Sequence, residues 1–135
     1  MNEEIVVENA QGRLYLVPTP IGNLEDITVR ALRILRDVEL IGAEDTRVTK
    51  KLLAHYEINT PMISYHEHNE TQRTPHIMNV LTRSDVALVS DAGMPGLSDP
   101  GDALIKEAID QGVTVSALPG ASAITSALPM SGLPI

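Results

Sequence analysis

Val86-Ala87-Leu88-Val89-Ser90-Asp91-Ala92-Gly93-Met94-Pro95-Gly96-Leu97-Ser98-Asp99-Pro100-Gly101 is the stretch on which the fold turns. Its first four residues are an unbroken apolar run. A strand with one wet face would alternate, so this run predicts a strand buried on both faces, as in a parallel sheet covered by helices. Three Gly and two Pro follow within residues 91–101, a loop costly to order unless it does something. Asp99 is placed to cap the next helix, Pro100 to take its first position, and Gly112 to make the left-handed turn that ends it.

Working outward, four similar runs recur: Leu14 to Val17, Val38 to Ile41, Met62 to Tyr65, and Val113 to Leu118. Between the five runs lie segments with helical spacing: Ile27, Ala31 and Leu35; Val48 and Leu52; Ile77 and Leu81; Leu104, Ala108 and Ile109. Asp26 and Asp45 precede two of them, and a small-residue helix is expected from Pro119 to about Leu128. The alternation predicts an α/β fold, a five-stranded, mostly parallel sheet with helices on both faces. Residues 1–11 read as a polar, acidic tail and 12–135 as one domain, with a boundary expected at the end.

Composition narrows the function. With 135 residues, 43% apolar and 21% charged, the chain is of globular type. No apolar run has the length of a membrane helix and the start is acidic, so a soluble, intracellular protein without membrane contact is expected. Without cysteine there is no disulfide, thiolate zinc site or cysteine nucleophile. Three Tyr with no Trp or Phe leave few platforms for stacking bases, and a net charge of −8 argues against unaided, nonspecific grip on a polyanion. The charge is uneven, however: residues 30–51 hold six of the ten Lys and Arg.

In an open parallel sheet, ligands sit beyond the carboxyl ends of the strands. After the first strand comes Pro18-Thr19-Pro20-Ile21-Gly22-Asn23-Leu24, stiffened by two prolines, with Gly22 offering unusual backbone angles. In the fourth loop, Gly93 and Gly96 would let a ligand approach the main chain. Pro119-Gly120-Ala121-Ser122-Ala123 would offer free amides and the Ser122 hydroxyl at a helix start. The second loop, Ala43-Glu44-Asp45-Thr46-Arg47, brings two carboxylates and a guanidinium to the same edge. The third, Tyr65-His66-Glu67-His68-Asn69-Glu70, brings two histidines. His66 and His68 with Glu70 or His76 lack a third ligand at diagnostic spacing, so no metal is expected. No G-x-G-x-x-G follows the first strand and no Gly-Lys-Ser/Thr element occurs, which argues against a nucleotide hydrolase.

Val17 to Thr28, Ala43 to Arg47, Ser90 to Gly101 and Pro119 to Ala123, in that order, resemble the tetrapyrrole methylase superfamily, and Glu44-Asp45-Thr46-Arg47 resembles its branch acting on ribosomal RNA. That resemblance implies S-adenosylmethionine as cofactor. It implies methylation of the 2′-oxygen of a cytidine ribose in small-subunit (16S) ribosomal RNA, by a cytoplasmic, usually homodimeric protein. It also implies a second domain, absent from this chain, that would begin shortly after Ile135 and complete the cofactor cleft. Carried over by motif, cofactor contacts fall on Thr19, on Gly93, Met94, Pro95 and Leu97, and on Ser122 and Ala123. The superfamily commonly has Asp where this chain has Met94, so contact there is expected through backbone and shape. Some group must accept the ribose proton, and Glu44, Asp45, His66 and His68 are the candidates. Arg47, Lys50 and Lys51 are the candidate phosphate contacts. Two rival readings remain: a small-molecule methyltransferase of tetrapyrrole type, and an inactive, dimerising lone domain.

Overall fold

A computed structural model describes residues 11–96 and 101–134 of the 135. The expectations for the acidic tail over residues 1–10, and for Leu97, Asp99 and Pro100, lie outside the described residues. Five strands, β1 (Leu14–Leu16), β2 (Leu40–Ala43), β3 (Met62–Ser64), β4 (Val86–Val89) and β5 (Val115–Ala117), form one sheet in the order β3-β2-β4-β1-β5. Every pairing between them is parallel, with Leu14 opposite both Val86 and Val115, and Ile41 opposite Ala87. Helices α1 (Val29–Asp37), α2 (Thr46–His55), α3 (Glu70–Leu81), α4 (Asp102–Asp110) and α5 (Ala123–Ser131) follow the five strands in turn.

The strand order sorts the helices. From β1 to β2 to β3 the chain moves one way along the sheet, and from β3 to β4 to β5 it moves back. Since parallel crossovers are right-handed, α1 and α2 must cover one face and α3 and α4 the other. Two separate apolar clusters agree. Ala31, Ile34 and Leu35 of α1 and Leu52 and Leu53 of α2 pack on Ile41, Ala43, Ala87 and Val89. Ile77, Val80 and Leu81 of α3 and Leu104 and Ala108 of α4 pack on Leu14, Leu16, Leu40, Val86 and Leu88. Neighbouring strand residues thus serve opposite faces, which is why the central strands β2 and β4 are apolar and buried throughout.

Local departures from the sequence reading have simple causes. Val38 is not strand but the C-cap of α1, its N–H donating to the Ile34 carbonyl at 3.0 Å, and β2 runs on through Gly42 and Ala43. Val48 and Ile109 carry the right period yet are exposed, because α2 buries Thr49, Leu52 and Leu53 and α4 buries Leu104 and Ala108. Thr28, not Asp26, caps α1 by accepting from the Ala31 N–H at 3.0 Å. Asp45 caps α2 as expected, and Gly112 is left-handed after α4, with φ +79°. α4 starts at Asp102 behind a left-handed Gly101, later than the Asp99-Pro100 signal implied. Gly22 has no left-handed φ and no atom near where its Cβ would lie, so its special backbone freedom is not used.

Gly12 is the opposite case. Entering β1, its N–H donates to the Leu81 carbonyl at 2.8 Å, and a Cβ there would meet the Ser84 carbonyl oxygen at 1.8 Å, backbone that cannot swing away. Gly12→Ala should therefore lower stability by about 2–3 kcal/mol, the cost of overpacking. Gly22→Ala should lie within about 0.5 kcal/mol of the parent. Thermal unfolding of both variants beside the parent checks the contrast, and equal midpoints would contradict this packing of β1.

Candidate active site

β4 is the strand from which the site is built. Its exit loop lies between the exits of β1 and β2, whose chains leave for α1 and α2 on one face, whereas its own chain leaves for α4 on the other. Crevices open where neighbouring connections diverge in this way. Toward β1 the crevice is closed at its base by a two-residue bridge: the Thr19 N–H donates to the Gly93 carbonyl at 3.1 Å and the Gly93 N–H donates to the Thr19 carbonyl at 2.9 Å. The Thr19 hydroxyl donates to the Ser90 carbonyl at 3.2 Å, and the Ser90 hydroxyl reaches the Ala92 and Gly93 carbonyls, each at 3.2 Å. Thr19 is only 3% exposed, and its donors are spent on holding the loop.

Gly93 sits where three loops meet. Its φ of +81° suits glycine alone, and a side chain there would point at Ile21 of the first loop (3.6 Å) and at the Ala121 carbonyl of the fifth (3.9 Å). The fifth loop touches the first directly, since a Cβ on Gly120 would lie 2.9 Å from the Pro18 ring. The Gly93 amide is engaged by Thr19, so a ligand would meet this residue by close approach and not through its N–H. Met94 packs against the Leu88 and Leu104 cluster and Pro95 is buried. Ser122 caps α5, its hydroxyl oxygen accepting from the Thr125 N–H at 3.3 Å, which leaves the hydroxyl proton to donate elsewhere. Among the described residues, no acceptor takes the N–H groups of Gly120, Ala121, Ser122 or Ala123. Small residues and these amides together leave hydrogen-bond donors on the fifth-loop side of the crevice.

Toward β2 the β4 loop is tied by a reciprocal pair. The Asp91 N–H donates to Glu44 Oε1 at 3.2 Å, and the Asp45 N–H donates to Asp91 Oδ1 at 3.0 Å. Asp45 is further engaged: Oδ1 accepts from the Arg47 N–H (2.9 Å) and Nε (3.1 Å), and Oδ2 from Nη2 (2.9 Å). The Arg47 side chain beside it holds the Asp45 carboxyl below the usual range, and Asp45 in turn raises Arg47. The folded pKa being lowered, this pair contributes stability above the ordinary aspartate range and loses it as pH falls through the folded value. Such a carboxylate is a poor proton acceptor.

His66 and His68 follow β3, at the edge of the sheet and separated from β4 by β2, about 10 Å across two strand spacings. Their loop is pinned by Asn69, whose Oδ1 accepts from the His66 N–H at 2.8 Å and whose amide donates to Ser64 Oγ at 2.9 Å. Buried Tyr65 adds a 2.8 Å hydrogen bond between its hydroxyl and that of Thr74. Burial pushes the Tyr65 phenol up, so it stays neutral. His66 Nδ1 accepts from the His68 N–H at 3.2 Å, leaving Nε2 as its outward nitrogen. The structure thus brings together the first, second, fourth and fifth loops and sets the third apart. Among the described residues no group of three or more His, Asp or Glu could hold a metal ion.

The sequence reading missed two features. Asp91 was given no role, though its place one residue past Ser90 puts it at the strand exit. A cavity of about 80 Å³ lies between the first loop, α2 and the β4 exit, lined by Pro20, Leu24, Val48 and Leu52 with Thr49 and Asp91 among its polar groups. Buried Thr49, out of phase with Val48, was the available signal.

The brace predicts a graded series. A Gln at position 44 still offers Oε1 to the Asp91 N–H, whereas Ala does not, and a lost hydrogen bond at a partly buried site costs about 1 kcal/mol. Glu44→Gln should leave the unfolding midpoint nearly unchanged and Glu44→Ala should lower it by roughly 3–5 °C. Equal losses in both would mean that charge, not the hydrogen bond, ties the loops.

The described part carries no helix long and apolar enough to cross a membrane. Comparison with known proteins places this geometry. The chain is 55% identical to a protein of Halalkalibacterium halodurans named ribosomal RNA small subunit methyltransferase I, over 92% of this chain and 43% of that protein. It is 54% identical to the Bacillus subtilis protein of the same name, over 90% of this chain and 42% of that one. It therefore spans under half the length of these curated relatives. Among solved structures, uroporphyrin-III-C-methyltransferase of Thermus thermophilus matches with a TM-score of 0.65 and 25% identity, over 92% of this chain and 53% of that one. The family model for tetrapyrrole (corrin/porphyrin) methylases matches residues 13–135, a span that takes in all five strands and every loop of the crevice: the chain belongs to that family.

Proposed function

We propose that this chain supplies the N-terminal half of the active-site cleft of an S-adenosylmethionine-dependent enzyme that methylates the 2′-oxygen of a cytidine ribose in small-subunit ribosomal RNA. The observation that carries the reading is the convergence of the first, fourth and fifth loops on Gly93 in a chain 55% identical to a protein named for that rRNA substrate. In this reading the protein works in the cytoplasm as a homodimer, and residues beyond those present here close the cleft. The exposed apolar side chains of α5 and its end, Ile124, Leu128, Met130 and Leu133, support further burial on that side.

Bound in the crevice, the cofactor would supply an electrophilic methyl group on a sulfonium. Gly93 with Met94 and Pro95 would let it approach the backbone, Ser122 and the amides around Ala123 would meet its polar groups, and Thr19 would act by holding the first and fourth loops together. Positioning carries much of the rate, because in-line attack demands one geometry. The ribose hydroxyl gives up its proton as its oxygen forms the new bond to carbon. Glu44 is the acceptor this reading favours: Oε1 is tied to Asp91 and Oε2 is left over, whereas Asp45 is held ionised by Arg47 and the histidines lie at the sheet edge. Arg47, Lys50 and Lys51 would meet RNA phosphates.

Two measurements test this. Methyl incorporation into small subunits lacking the modification should be undetectable with residues 1–135 and restored when the chain is extended to the length of its relatives. Comparable activity from the short chain would place the whole site within it and overturn the two-part cleft. In the extended protein, Glu44→Gln should lower turnover by about 10²-fold or more with cofactor affinity unchanged. Full turnover in that variant would remove Glu44 as the proton acceptor.

A further inference from the structure

The net charge of −8 conceals a strong segregation. α1 and α2 together hold Arg30, Arg33, Arg36, Arg47, Lys50 and Lys51 against one acid, Asp37, a net of +5, so the rest of the chain carries −13. On α1 the buried positions are 31, 34 and 35 and Arg30 and Arg33 are exposed; on α2 they are 49, 52 and 53, with Arg47, Lys50 and Lys51 exposed. The two basic rows therefore face the same way. Both helices cover the same face of the sheet, and their ends are joined by the Tyr56 hydroxyl past α2, which donates to the Leu24 carbonyl ahead of α1 at 2.6 Å, and by Thr60 Oγ1, which donates to the Leu35 carbonyl at 2.6 Å. The two begin at the carboxyl edge of the sheet, with Arg30 in the first turn of α1 and Arg47 in the first turn of α2.

An ordinary solvated helix face mixes signs and pairs them at i to i+4. Lys106 and Asp102 on α4 do this at 3.1 Å, on the opposite side of the sheet. On α1 and α2, among the described residues, only Arg47 has a carboxylate within 4.0 Å, that of Asp45, and Arg36 is drawn off to the Tyr56 carbonyl. Like charges left together repel, and a polyanion relieves that repulsion.

We propose that Arg30 and Arg33 of α1 extend the Lys50 and Lys51 patch of α2 into one band that holds the sugar-phosphate backbone of the RNA beside the crevice. The band rests on the RNA-methylating reading for its partner. It acts through phosphates, so it anchors and orients the RNA without selecting the nucleotide. Arg47, already neutralised by Asp45, contributes donors more than charge.

The test uses the protein extended to the length of its relatives. Binding of a small-subunit rRNA fragment and of poly(U) is measured against salt concentration for the parent, for Arg30→Gln/Arg33→Gln, and for Lys106→Gln on the far face. Losing two phosphate contacts should weaken binding of the fragment at least fivefold at about 0.15 M salt and lower the log–log salt slope by roughly 1.4–1.8. Cofactor affinity should not move, and Lys106→Gln should match the parent. An unchanged slope in the double variant overturns the band, as does an equal loss in Lys106→Gln, which would make the effect one of net charge. Should the parent fail to methylate or prefer the rRNA fragment, the substrate reading falls. A slope difference on poly(U) alone would still support the band as a polyanion site.

Discussion

The position of β4 between β2 and β1 is the constraint on which the rest of the structure depends. Because β4 lies between β2 and β1 and the chain then moves on to β5 at the far edge, its connection crosses the face opposite to those of β1 and β2, and its exit loop diverges from both neighbours. A loop with this much glycine and proline would have many conformations if left untied. It is tied twice, by the Thr19–Gly93 bridge to the β1 side and by the Glu44–Asp91–Asp45 exchange to the β2 side. Both ties use main-chain groups on at least one partner. They fix the path of the backbone at the strand exit.

The same ties redistribute the chemistry of the edge. Once Asp45 caps α2 and binds Arg47 through both oxygens, it is a structural anion, while Glu44 beside it uses one oxygen to hold the Asp91 N–H. Thr19 spends its N–H and hydroxyl on the β4 loop and so serves to hold the first and fourth loops together. Distance from β4 in the strand order then ranks what remains, which separates Glu44 from the histidines after β3.

Charge follows the same two-faced plan. The connections that leave β1 and β2 for one face carry nearly all the basic residues of the helices, while α4 on the other face carries Asp102, Glu107 and Asp110 against Lys106. An acidic protein can in this way expose basic residues along the two helices of one face while its net charge is negative. Net charge alone therefore understates what a chain of this kind can bind.

The sequence by itself determined the class of fold. Five short runs rich in apolar residues, with Val86 to Val89 wholly apolar, separated by helical periods, leave a covered parallel sheet as the economical way to bury both strand faces, and the Asp45 cap, the Gly112 turn and the Ser122 helix start were legible because each depends on local backbone geometry. The loops that carry the site were also legible, since glycine and proline mark them directly. Strand order was not, and with it went the pairing of Asp91 with Glu44, the use of Thr19 as a tie, the separation of His66 and His68 from the crevice, and the union of the α1 and α2 basic rows. The contacts among these join residues about 20 to 74 positions apart, for which no local pattern carries information. The phase of Val48 against Thr49 fell between: the helical period was plain, but which side of it met the sheet was decided by the direction from which α2 crosses β2.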